Sequence, residues 1–75
     1  MEINQLQIKI GERIRVLRES KGITQQNLAA ICNFEKANLS RLEAGRTNPT
    51  ISTLYKISQA LEVSISDLLD VESYN

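Results

Sequence analysis

Thr24-Gln25-Gln26-Asn27-Leu28-Ala29-Ala30-Ile31-Cys32-Asn33-Phe34-Glu35-Lys36-Ala37-Asn38-Leu39-Ser40-Arg41-Leu42-Glu43-Ala44-Gly45 sets two short helical patterns on either side of a tight turn. Thr24 is placed to cap a helix whose apolar positions are Leu28, Ala29, Ile31 and Cys32, because its hydroxyl can accept from a free N–H of the first turn. Asn33 follows, a residue that tolerates the left-handed backbone angles at which a helix stops, and Phe34 is expected to point into the core and anchor the next segment. A further helix is predicted from about Glu35 to Ala44, with Leu39 and Leu42 inward and Gly45 closing it. Two helices joined by so short a turn cross steeply, and only a small side chain fits where their axes meet. Ala29 is that residue.

Working outward, Ile3, Leu6, Ile10, Ile14 and Leu17 recur at spacings of three and four, one stripe of a long first helix that ends near Lys21-Gly22. On the other side, Arg46-Thr47-Asn48-Pro49 reads as a loop. Thr50 caps a fourth helix carrying Leu54, Ile57 and Leu61 on one face, and Ser64 with Asp67 makes a capping-box-like start to a short fifth helix through Leu69. No alternating strand pattern of useful length and no repeat occurs. The expected fold is all-α: five helices in one domain over residues 1–75, the second and third forming a helix-turn-helix.

Composition narrows the chemistry. The longest purely apolar run is Leu28 to Cys32, five residues, against the roughly 20 needed to span a bilayer, and the first residues lack the charged and apolar regions of an export signal. The chain is expected in the cytoplasm, at the nucleoid of a prokaryote or phage-infected cell, and away from membranes. One cysteine and no histidine exclude an internal disulfide and remove the main supplier of metal and acid–base chemistry; no metal, no cofactor and no catalytic residue are expected. Cys32 reads as a small core residue. The net charge is zero, but residues 1–56 hold all nine Lys and Arg against five acids, a net +4, while residues 57–75 hold Glu62, Asp67, Asp70 and Glu72, a net −4. A basic body with an acidic end points to a polyanion on one side.

These marks together resemble the phage-repressor-like helix-turn-helix family, which includes lambda repressor, Cro and XRE-like regulators. The resemblance runs from about Ile14 to Leu69 through Leu17-Arg18, Gly22, Thr24-Gln25, Leu28-Ala29, Leu42-Glu43-Ala44-Gly45, Pro49, Ala60-Leu61-Glu62-Val63 and Leu68-Leu69. Two positions depart from the family pattern: Asn33 stands where the turn usually has Gly, and Glu35 where the third helix usually opens with Ser, Thr or Asp. Glu35 makes a weaker cap, offset in part by a carboxylate at the positive end of the helix dipole. The resemblance implies a lambda-repressor-like fold and sequence-specific binding of double-stranded DNA.

The residues themselves indicate where DNA would lie. On a helical wheel Ala37, Ser40, Arg41 and Ala44 face away from Leu39 and Leu42, with Lys36 and Asn38 on the flanks. Such a face is small in the middle and basic at its edge, suited to a major groove: Arg41 can bond guanine O6 and N7, and Ala37 can meet a thymine methyl. Lys36, Ala37, Ser40 and Arg41 are the expected base contacts, Lys36 because it occupies a position that in the resembled family often touches a base or phosphate. Gln25, at the start of the second helix, is the leading phosphate contact, with Asn38 and the loop residues Arg46, Thr47 and Asn48, which in the family run along the backbone. Arg13 and Arg15 read as solvated charges. Glu43 opposes the dipole in the last turn of its helix and so needs a partner; Arg18, beside the first helix's apolar stripe, is the candidate, and the resemblance implies the same buried pair.

The functional expectation is a transcriptional regulator, a repressor or autoregulator, inserting its third helix into the major groove of a palindromic operator. A homodimer is expected through Tyr55, Ile65, Leu68, Leu69 and Val71, rimmed by Asp67, Asp70 and Glu72, because a chain this short gains from burying a second apolar surface. No ligand-sensing domain fits the length, so no small-molecule effector is expected. The rival reading is a protein-interaction module of the same fold, docking a toxin or a polymerase subunit; Gln25, Lys36, Arg41 and Arg46 on one face favour DNA.

Overall fold

The computed structural model describes residues 1–71; Glu72, expected on the acidic rim, lies outside the described residues. Five helices follow one another: α1 (Ile3–Ser20), α2 (Gln25–Cys32), α3 (Lys36–Glu43), α4 (Ile51–Leu61) and α5 (Ile65–Leu68). Their starts are set locally. Thr24, Thr50 and Ser64 each accept a hydrogen bond from the backbone N–H three residues on, and Asp67 returns the bond to the Ser64 N–H. Glu35 leads into α3 without a side-chain cap bond.

Four of the stops are left-handed: Gly22 (φ 70°), Asn33 (φ 60°), Gly45 (φ 78°) and Glu62 (φ 58°). At each, two backbone N–H groups fold back onto the last carbonyls of the helix; after α3, Gly45 N donates to Leu42 O and Arg46 N to Arg41 O. Gly45 has a second reason to lack a side chain, since a Cβ there would lie 2.6 Å from Ile8 Cα of α1.

The core is built from Ile10, Ile14, Leu28, Ala29, Cys32, Leu39, Leu42, Leu54, Ile57, Leu61 and Leu68, with Leu6, Leu17, Phe34, Ile65 and Val71 packed at its margin. Every helix contributes. Helix α1 lies against the end of α3 through Gly11, where a Cβ would stand 2.5 Å from Leu42 O and 2.6 Å from Glu43 O. The absence of that Cβ lets two backbones touch. On its other flank, α1 holds α5 through Arg13, whose Nε donates to Asp67 O at 2.8 Å while its Nη2 lies 3.9 Å from Asp70 Oδ2.

Three sequence expectations are corrected by this packing. Ile3 is 62% exposed: α1, about 27 Å long at 1.5 Å per residue, outruns the eight-residue α3 beneath it, and its first turn has nothing to bury against. Ile31 is 61% exposed, because α2 buries Leu28, Ala29 and Cys32 and Ile31 falls on the far side of the helix. Leu68, expected at a dimer interface, is fully buried in the core of its own chain. Ile65 and Val71 are half-buried against that core, while Tyr55 and Leu69 are exposed.

Candidate nucleic-acid interface

Helix α3 fixes the site. Burying Leu39 and Leu42 turns Lys36, Ala37, Ser40 and Arg41 to solvent. Within that face Arg41 Nη2 donates to Asn38 Oδ1 one turn earlier, so the guanidinium is held along the helix. Arg46 and Asn48 stand exposed in the loop that follows, with Thr47 half-buried. Among the described residues no carboxylate lies within 4 Å of Lys36, Arg41 or Arg46.

Below it lies an ion pair. Arg18 and Glu43 are each 7% exposed; Arg18 Nε donates to Glu43 Oε2 at 2.7 Å and Nη2 to Oε1 at 3.0 Å, a two-pronged contact. The remaining Nη1 donates to Ile23 O at 2.8 Å, and Glu19 Oε2 approaches to 3.8 Å. Hydrogen bonding to Glu43 raises the Arg18 pKa above its ordinary value while burial pulls it the other way. Arg18 therefore stays charged at all ordinary pH, and the stability that its raised pKa contributes is lost only as pH rises through that pKa in strong base. Together these bonds join the end of α1, the turn before α2 and the last turn of α3.

Gln25 occupies the first turn of α2, but its amide is engaged: Nε2 donates to Glu43 Oε1 at 2.9 Å. This bond is not legible in the sequence, since it depends on how α2 and α3 cross. Also unread are Gly11, whose mid-helix position was the available signal, and the surroundings of Arg15. Ile8, Glu12 and Arg15, spaced four and three apart, line an open cleft of about 370 Å³ with Gln25, Ser40, Glu43 and Ala44. Cys32 is buried, its Sγ donating to Lys56 O at 3.7 Å; burial pushes the thiol pKa up, with Lys56 pulling against it, the setting of a core thiol. No cluster of metal-ligating side chains and no helix long and apolar enough to cross a membrane is present among the described residues.

The architecture matches proteins already known. The helix-turn-helix family model matches residues 14–68. A helix-turn-helix type transcriptional regulator of Sinorhizobium fredii, y4dJ, itself uncharacterised, is 45% identical over 60 residues, covering 80% of this chain and 78% of its own length. The crystal structure of SinR, the master regulator for biofilm formation, in complex with DNA is 42% identical with a TM-score of 0.76, covering 81% of this chain and 98% of that one. That of the restriction-modification controller protein C.AhdI from Aeromonas hydrophila is 30% identical with a TM-score of 0.80, covering 81% and 92%. The chain spans about half the length of several other curated relatives it matches.

Proposed function

The chain belongs to the helix-turn-helix family of DNA-binding transcription regulators, and from that premise we propose that it binds a palindromic operator as a homodimer in the cytoplasm, at the nucleoid, setting α3 of each protomer into a major groove to repress or autoregulate transcription. One observation carries the reading: the exposed face of α3 joins a small, uncharged middle to cations that have no carboxylate within 4 Å among the described residues. Ala37 and Ser40 let the helix approach the base edges, Arg41 reads a guanine and Lys36 reaches a base or phosphate. Arg46, Thr47 and Asn48 follow one phosphate strand, joined by the amide NH₂ of Asn38, whose Oδ1 serves Arg41. At the opposite wall Gln25 offers its backbone N–H, because its side-chain amide is bonded to Glu43.

Tyr55 on α4 and Leu69 just after α5, both exposed, carry the contact between protomers, with Ile65 and Val71 at its edge. Two-fold pairing places the recognition helices about 34 Å apart, one turn of duplex. Titrating a DNA duplex at several salt concentrations tests the reading. A dimer neutralising roughly six to eight phosphates gives a slope of log affinity on log salt of about −5 to −7. A slope near zero would remove DNA as the partner.

A second reading, a protein-docking module of the same fold, draws on a different surface. Ile31 and Tyr55, 61% and 56% exposed, border an open cavity of about 440 Å³ between α2 and α4. A toxin or polymerase subunit seated there would leave the α3 face free but would compete with the second protomer for Tyr55.

A further inference from the structure

We infer that Arg15 of α1 is a phosphate-contacting residue, gripping the DNA strand on the α2 side of the groove; this rests on the reading that α3 enters a major groove. A helix with its side chains is about 10–12 Å across and the groove about 12 Å wide, so a seated α3 has a phosphate strand close along each flank. One flank carries the Arg46–Asn48 loop. The other is the cleft shared by α1, α2 and α3, and Ser40 of the exposed α3 face lines it together with Glu12, Arg15, Gln25 and Glu43.

The charges in that cleft are already divided. Glu43 is bonded to Arg18 and Gln25, and the Gln25 amide to Glu43. Glu12 is an exposed acid that would repel phosphate. Arg15 is an exposed cation with no carboxylate within 4 Å among the described residues, and its planar fork suits two phosphate oxygens at once. Its near neighbour Arg13 is held elsewhere, tied to the Asp67 carbonyl and lying beside Asp70. Two arginines that look alike in sequence are thus separated by what they touch, one clasping α5 and the other free beside the outward face of α3.

The test compares wild type, Arg15→Ala and Arg15→Lys on a short random-sequence duplex between about 50 and 200 mM salt. One lost phosphate contact lowers the magnitude of the salt slope by about 0.9 and, near 0.15 M salt, weakens binding about five-fold per contact. Arg15→Ala removes one such contact from each protomer of the dimer and should lower the magnitude of the slope by about 1.8, with binding weakened roughly 25-fold; Arg15→Lys, which keeps the charge, should recover most of the slope. Because Arg15 is exposed, both variants should melt with wild type. A wild-type slope retained by Arg15→Ala would overturn the inference while leaving the DNA reading intact, whereas a wild-type protein that binds no duplex would overturn the reading and the inference together.

Discussion

Replacing Glu43 by alanine tests the internal tie between α1 and α3. Its carboxylate accepts from Arg18 Nε at 2.7 Å, Arg18 Nη2 at 3.0 Å and Gln25 Nε2 at 2.9 Å. After substitution the buried guanidinium keeps one hydrogen bond, to Ile23 O, and a 3.8 Å approach from the exposed Glu19. Removing one partner of a buried pair costs about 3–5 kcal/mol, because the other charge is left desolvated and unpaired. A single core of this size supplies about 3–5 kcal/mol in all, so Glu43→Ala should be largely unfolded at 25 °C. If a residual transition is visible, its midpoint should fall by at least about 12 °C, taking about 4 °C per kcal/mol as the low end. Arg18→Met alone should do nearly as much damage through the stranded carboxylate. The double variant Arg18→Met with Glu43→Leu removes both charges and should recover most of the loss, since apolar replacements of buried pairs are commonly neutral or better. Urea denaturation followed by far-UV circular dichroism reads all three. Either single variant within about 1 kcal/mol of wild type, or a double variant as unstable as the two losses added, would mean that Arg18 and Glu43 are not coupled as a buried pair.

Two further perturbations separate packing from surface. Gly11→Ala gains about 1 kcal/mol in helix propensity, yet its Cβ would press on two carbonyl oxygens at 2.5 and 2.6 Å; a net loss of about 1–3 kcal/mol is expected in urea denaturation, and a gain would mean that α1 and α3 are farther apart. Leu68→Asp, in the core, should abolish the folding transition, whereas Leu69→Asp should keep a cooperative transition, at a lower midpoint because the dimer's contribution is lost, and lower the mass seen by sedimentation equilibrium from dimer toward monomer. Loss of folding in Leu69→Asp, or an unchanged mass, would reassign that side chain.

The parts of the fold legible in the sequence are those whose causes are local. Thr24, Thr50 and Ser64 cap where expected because capping depends on residues within one turn. Asn33 and Gly45 mark left-handed stops because their chemistry suits that conformation. Glu62 adopts the same conformation with no such signal; the chain has to turn there to bring α5 back onto α4. Ile3 continues an apolar spacing past the point where a neighbour exists to cover it, and spacing cannot report where the neighbour ends; Ile31, between the buried Leu28 and Cys32, is turned off the covered side of α2. Leu68 and Leu69 are indistinguishable in sequence for a related reason: in a four-residue helix, one step of about 100° decides burial, and too few residues precede it to fix the phase. At the interface, the face of α3 follows from Leu39 and Leu42 alone. The Gln25–Glu43 bond and the different surroundings of Arg13 and Arg15 depend on which helices cross, and so become visible only once the packing is known.

Selection of bound sequences from a random duplex pool, run in parallel with wild type and Arg41→Ala, tests most directly whether α3 reads DNA. Wild type should enrich a two-fold symmetric consensus, its half-sites one helical turn apart. Arg41→Ala should relax one base pair in each half-site, at a cost of about 1–3 kcal/mol on the wild-type sequence. A wild-type pool that remains random after selection, or an Arg41→Ala consensus identical to wild type, would contradict it.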